Sequence, residues 1–185
     1  DAVIGGAFFA AWPGVDALTD GLAAALAAED DYERKLDAAR RWQKEWRFRI
    51  GVHHLRGVID ADEAGHQYAD LAEAVLRALQ GPVTAEFAHK HGAAPGRGAA
   101  LVGMGSLGAR QLSVTSDLDV IVIYDPLDQD ASDGPRPLNA PTYFARLTQA
   151  FVTALTAPTA EGTLYEVDMR LRPSGRQGPV ATSLE

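Results

Sequence analysis

Asp117-Leu118-Asp119 runs directly into Val120-Ile121-Val122-Ile123-Tyr124. Four consecutive β-branched residues followed by an aromatic predict a strand over 117–124. On a strand, residues i and i+2 share a face, so two carboxylates project side by side from an otherwise apolar element. Left alone, they repel each other and lose hydration. A divalent cation between them resolves both costs. Paired carboxylate oxygens suit Mg²⁺, with substrate phosphates completing its octahedron. The competing reading is a solvent-facing strand end with two hydrated acids. The unbroken apolar run 120–123 predicts burial on both faces nearby, which favours the metal.

Two further features belong to the same half of the chain. Gly103-Met104-Gly105-Ser106-Leu107-Gly108 follows the short apolar run Ala99 to Val102, itself expected as a buried strand. Glycines there let backbone N–H groups approach a phosphate, and a helix starting after them would add its positive end. A tight turn explains the same glycines equally well. Downstream, Gly162 to Leu171 alternates and predicts a third strand. Glu166, Asp168, Arg170 and Arg172 fall on one face, and Tyr165, Val167, Met169 and Leu171 on the other. A mixed charged face can be merely a wet sheet surface, the preferred reading for Glu166. Asp168 is instead expected to stand beside the Asp117/Asp119 pair, as a metal ligand and as a base toward an attacking hydroxyl. Arg170 and Arg172 then suit phosphate oxygens or an acidic partner surface.

Composition narrows the frame around this site. The chain has 185 residues, 46% of them hydrophobic and 23% charged, enough for a sizeable core. Seventeen Lys and Arg against 25 Asp and Glu give a net charge of −8. That balance argues against a general nucleic-acid binder. The absence of cysteine excludes disulfides, thiolate zinc sites and a Cys nucleophile, and fits a reducing compartment. The apolar stretch Ala2 to Ala11 is about half of the ~20 residues a membrane span needs, and it lacks a basic leader. A start at Asp1 and an end at Ser183-Leu184-Glu185 read as a piece of something longer.

The first half reads as helical. Ala17 to Ala28 carries Leu18, Leu22 and Leu26 at i+4 spacing, and Glu29-Asp30-Asp31 opens a second helix running to about Ile50. A third helix is expected over 62–79, and a separate short one from Pro82, at its N1 position, to about His91. Gly92 to Gly98 is expected to be a flexible joint. The region 126–141 reads as loop and 142–155 as amphipathic helix. The expected organisation is therefore a helical N-terminal subdomain over 1–95 and an α+β core with a small sheet over 96–185. Trp42 and Trp46 read as packing residues. His53, His54 and His66 lack metal-ligand spacing and read as surface positions.

Gly105-Ser106, ten intervening residues, Asp117-x-Asp119 and a distant third acid together resemble the polymerase-β-like nucleotidyltransferase pattern. More closely, GMGSLGARQLSVTSDLDVIVIYD with LYEVDMRLRPSGRQGPVATS resembles the glutamine synthetase adenylyltransferase family. The resemblance covers about Leu101 to Ser183, and more loosely the helical lead. It implies a polymerase-β-like core with a small mixed sheet, preceded by helices. It also implies transfer of AMP from ATP to a tyrosine of glutamine synthetase, with two Mg²⁺ ions. By the same resemblance Asp117, Asp119 and Asp168 are the metal-binding and catalytic acids. Gly103, Gly105 and Gly108 form the nucleotide-binding turn, with Ser106 and Ser116 as phosphate contacts. The implied setting is cytoplasmic nitrogen regulation, with a PII-type signalling protein and glutamine as regulators and with neither nucleic acid nor membrane as partner.

The chain departs from the family pattern at three positions. Ser106 stands where Lys is usual, Ala109 where Gly is usual, and Gln111 where Glu is usual. Ser106 restores the Gly-Ser pair of the wider superfamily, whereas Gln111 removes a negative charge. The LYEVDMRLRPSG version, with Glu166 and Ser174, looks more like the half that attaches AMP than the half that removes it by phosphorolysis. The two rival readings are that removing half and a non-catalytic nucleotide-sensing module. Retention of all three acids argues against the second.

Overall fold

The structure, a computed structural model, describes residues 6–170 and 179–184. Among the described residues, five α-helices and four strands follow one another as α1 (Gly14–Ala27), α2 (Tyr32–Leu55), α3 (Ala61–His91), β1 (Gly98–Gly103), α4 (Gly105–Gly108), β2 (Leu118–Asp125), α5 (Ala140–Thr156), β3 (Val167–Asp168) and β4 (Ala181–Ser183). The α+β class is as expected. Two compact units are built from these elements: residues 1–78 with 110–116, and residues 79–109 with 117–185.

The first unit is helical. Leu18, Leu22 and Leu26 of α1 are all buried, as their spacing requires. Asp31 caps α2, its carboxylate accepting the Arg34 N–H at 3.1 Å. Ile50, Ala64 and Leu71 form a core with Trp12, Trp42 and Trp46 packed against it, and Trp12 meets Trp46 edge-on. The tryptophans are thus packing residues. His53 departs from its expected surface position. It is buried, stacked on Phe9, with Nε2 2.8 Å from the Phe8 carbonyl. Its ring fills an apolar slot because one nitrogen still finds a backbone partner.

Pro82 does not start a helix; α3 runs through it. Proline removes the bond to the carbonyl four residues back, that of Ala78, and its ring crowds that carbonyl. Burial of Leu79 and Val83 on either side holds the helix together despite the weak helix formers Gly81, Val83 and Thr84. The two compact units part at that same Ala78.

The second unit is a small sheet with a helix on one face. β2 is central. β1 pairs with it antiparallel, with Gly103 opposite Val120, while β3 and then β4 run parallel to its other edge. Val122, Tyr124 and Ala181 pack against Ala140, Tyr143 and Phe144 of α5, with Tyr124 stacked on Phe144 at 4.4 Å between ring centres. Burial along β2 alternates: Leu118, Val120, Val122 and Tyr124 are buried, while Asp119, Ile121 and Ile123 are half-buried. The apolar run 120–123 is therefore not buried equally on both faces, because α5 covers only one.

Residues 92–98, expected as a joint, are instead fastened to the 126–136 loop. Ala93 N–H donates to Asp133, Gly96 N–H to Gln129 Oε1 at 2.7 Å, and Arg97 pairs with Asp125. Gly92, at φ +84°, lies so close to Gly134 that a Cβ on either would come within 2.2 Å of the other's backbone nitrogen.

Candidate active site

Two of the expected acids meet in the second unit. Asp119 and Asp168 are direct register partners in the parallel β2–β3 pair, so their side chains share a sheet face. Asp117 stands one residue before β2, separated from Asp119 by the fully buried Leu118. Asp117 is exposed and Asp119 half-buried. All three acids are close enough to Arg170 that their charges raise its pKa above the ordinary guanidinium value. The bond to Asp168 is the largest cause.

The glycine turn is stitched to the strand that carries Asp119. Met104 N–H donates to the Asp119 carbonyl at 2.8 Å, and Gly108 N–H closes the turn on Met104 at 2.8 Å. Gly105 sits at φ +51°, and a Cβ there would lie 2.4 Å from Asp119 Oδ2. Its backbone therefore reaches the carboxylate as no other residue's could. Gly103 and Gly108 serve packing: a Cβ on Gly103 would meet Leu107 at 2.9 Å, and one on Gly108 the Gly103 carbonyl at 2.8 Å. The tight-turn reading therefore accounts for these two. The helix expected after the turn is only the single turn α4.

Ser106 lies exposed in α4. Ser116 belongs to the first unit, where its hydroxyl accepts the Ser113 N–H at 2.9 Å. Gln111 lies in the same unit and donates to Asp62 at 2.6 Å. Arg172 and Ser174 lie outside the described residues.

The third strand is far shorter than the alternation of 162–171 predicts: before it, the Leu164 and Tyr165 N–H groups go to the Leu155 carbonyl, and after it Asp168 ends the pairing. Its Oδ1 accepts the Arg170 N–H at 2.8 Å, an Asx turn that diverts the chain from the ladder after two residues. Oδ2 meets the guanidinium of the same residue, with Nε at 2.5 Å and a second nitrogen also in contact. Among the described residues, no three carboxylate or imidazole groups stand ready around a metal position. The donor set nevertheless fits a hard divalent cation: it is all carboxylate oxygen, and a positive group already sits against it. Sequence reasoning missed β4 and the Asx turn. The Asp-x-Arg spacing of 168–170 was the available signal for the latter.

No helix among the described residues is long and apolar enough to cross a membrane. The profile of the Glutamate-ammonia ligase adenylyltransferase family matches residues 4–185. The chain is similar along its whole length to "Bifunctional glutamine synthetase adenylyltransferase/adenylyl-removing enzyme" of Xanthobacter autotrophicus, with 49% identity over 187 residues that make up 19% of that protein. The protein of the same name from Brucella suis is 46% identical over 187 residues, again all of this chain and 19% of the relative. That from Mesorhizobium japonicum is 47% identical over 165 residues, 89% of this chain and 17% of the relative. The chain thus spans about a fifth of the length of the curated relatives it matches. With its acid-bearing strand, its glycine turn and a family match over nearly every residue, the chain belongs to the glutamate-ammonia ligase adenylyltransferase family.

Proposed function

We propose that this chain carries a nucleotidyltransferase centre that moves AMP from ATP to a tyrosine of glutamine synthetase, releasing pyrophosphate. The observation that carries the reading is the register of Asp119 against Asp168, with the Met104–Gly108 turn bonded to the same strand. Asp117, Asp119 and Asp168 hold Mg²⁺, two ions in this reading. The ions supply neutralisation of the triphosphate charge and of the developing negative charge on the tyrosine oxygen. Gly105 and Ser106 contact phosphates on the turn that Gly103 and Gly108 shape, and Asp168 accepts the tyrosine proton. Arg170 and Arg172 hold phosphate oxygens. Positioning and charge complementarity carry the rate, because little covalent work falls to the protein.

Glutamine synthetase as substrate is supported by the names of the relatives. A PII-type protein and glutamine as regulators, and a cytoplasmic setting, are proposed on the family resemblance alone. The test is mass analysis of glutamine synthetase incubated with Mg-ATP and the complete protein carrying this chain. A tyrosine-linked AMP is expected, reduced by about two orders of magnitude or more in Asp119→Asn. If that variant loses AMP removal while attachment survives, this centre is the removing half. Tight ATP binding without transfer identifies a sensing module.

A further inference from the structure

We propose that Arg170 is a resident counter-cation that occupies Asp168 until a divalent metal displaces it. Metal entry and release of the guanidinium toward the triphosphate are then one event. This rests on the reading of Asp117, Asp119 and Asp168 as metal ligands, and assigns Arg170 a positioning role beyond phosphate contact.

The geometry is asymmetric. Asp168 is only 13% exposed at its side chain, so its carboxylate has surrendered most of its water and needs a positive partner. Arg170 is 67% exposed at its side chain, and among the described residues its guanidinium pairs with Asp168. The guanidinium stays charged at every physiological pH, so titration cannot release it. Another cation on Asp168 can. Two guanidinium nitrogens already take the lone pairs of Oδ2, so a metal binding that oxygen must displace at least one of them. The backbone bond from Arg170 N–H to Oδ1 belongs to no side chain and survives the exchange. The Asx turn therefore keeps Asp168 facing Asp119 while its charged partner changes. The Arg170 side chain, once freed, is a cation within reach of the acids and hence of any phosphate held there.

Arg170→Gln tests this cleanly, because it removes the charge and keeps the amide that forms the turn. Mg²⁺ alone is titrated into the nucleotide-free full chain by calorimetry, for wild type, Arg170→Gln and Arg97→Gln. The last is a field control: Arg97 pairs with Asp125 at the far end of β2. Removing the competing ion pair should tighten Mg²⁺ binding about fivefold in Arg170→Gln. Arg97→Gln should match wild type. In parallel, the Arg170 Nε–H resonance should move when Mg²⁺ is added to wild type. Equal or weaker Mg²⁺ binding by Arg170→Gln, or the same gain in Arg97→Gln, overturns the displacement while leaving the metal site standing. Absence of Mg²⁺ binding in all three proteins overturns the metal site itself, and the displacement with it.

Discussion

A Cβ placed on Gly105 would lie 2.4 Å from Oδ2 of Asp119, and Gly105 holds φ at +51°. The turn and the acid are therefore one fitted unit, and each limits what the other can be. Gly105→Ala combines left-handed strain with a clash against the Asp119 carboxylate. Gly98, at φ +85° with nothing within 4 Å of its Cβ position, isolates the strain. Gly98→Ala should cost about 1 kcal/mol and Gly105→Ala about 2 to 3 kcal/mol, read from urea unfolding. Equal costs would mean that the Asp119 side chain moves aside freely.

Mg²⁺ should stabilise the folded chain by mass action without any nucleotide. At ten times its Kd the gain is about 1.4 kcal/mol, a rise in Tm of about 3 to 6 °C for a chain of this length. Asp119→Asn removes one charge from the face it shares with Asp168, so the metal-free fold should be as stable as wild type or slightly more so. Most of the Mg²⁺ effect should be gone. Glu166→Gln, at an exposed position, should change neither melt. A wild type indifferent to saturating Mg²⁺ would make the acids structural.

Gly134→Ala should be among the most damaging single-methyl changes in the second unit. Its Cβ would come within 2.1 Å of the Gly92 nitrogen, a backbone atom with nowhere to go. The expected loss is about 3 kcal/mol or more, with the 92–98 and 126–136 segments becoming protease-sensitive together. Cleavage in only one of them would show that the two are not fastened to each other.

Alkaline stability should depend on Tyr143. Burial, with the Asp133 charge as a smaller cause, raises its pKa above 10.0, and its hydroxyl donates to the Gly92 carbonyl at 2.9 Å. The unfolded chain therefore loses this proton first as pH rises. The contribution is full below pH 10 and is lost as pH climbs through the raised value. Tyr143→Phe should lower stability by about 1 kcal/mol at neutral pH and flatten the alkaline decline. An unchanged slope above pH 10 would assign that decline to other groups.

Gln111→Glu, which installs the residue usual in the family, should destabilise the first unit. Gln111 donates from Nε2 to Asp62 at 2.6 Å, and a carboxylate there replaces a bond with like-charge repulsion. Asp62 is well exposed, so the cost should be only about 0.5 to 1 kcal/mol. Adding Asp62→Asn should recover most of it, as a double-mutant cycle on thermal melts will read.

The residues that could be placed from sequence were those whose conformation their immediate neighbours dictate. Leu18, Leu22 and Leu26 recur on one face whatever they pack against, and 120–124 is β-branched enough to be a strand in almost any setting. The side-by-side acids at 117 and 119 follow from the pleat alone. The pairing of Asp119 with Asp168 was read from the alternation over 162–171 and from resemblance, but its register is a property of the β2–β3 contact across nearly fifty residues.

Tertiary structure alone decided where alternatives of similar local energy had to be chosen. The alternation over 162–171 is equally compatible with a long strand or with two residues of strand and a turn. The Leu155 carbonyl takes the Leu164 and Tyr165 amides before the strand, and the Asp168 carboxylate takes the Arg170 amide after it. His53 follows helical spacing onto a surface in sequence but is buried, because Phe9 and the Phe8 carbonyl come to it from more than forty residues away. Pro82 carries a local stop signal that α3 overrides, since one lost backbone bond is small against the packing of thirty-one helical residues. Local sequence sets which conformations a segment can adopt. Partners distant in the chain, through the water they exclude and the hydrogen bonds they offer, select among them.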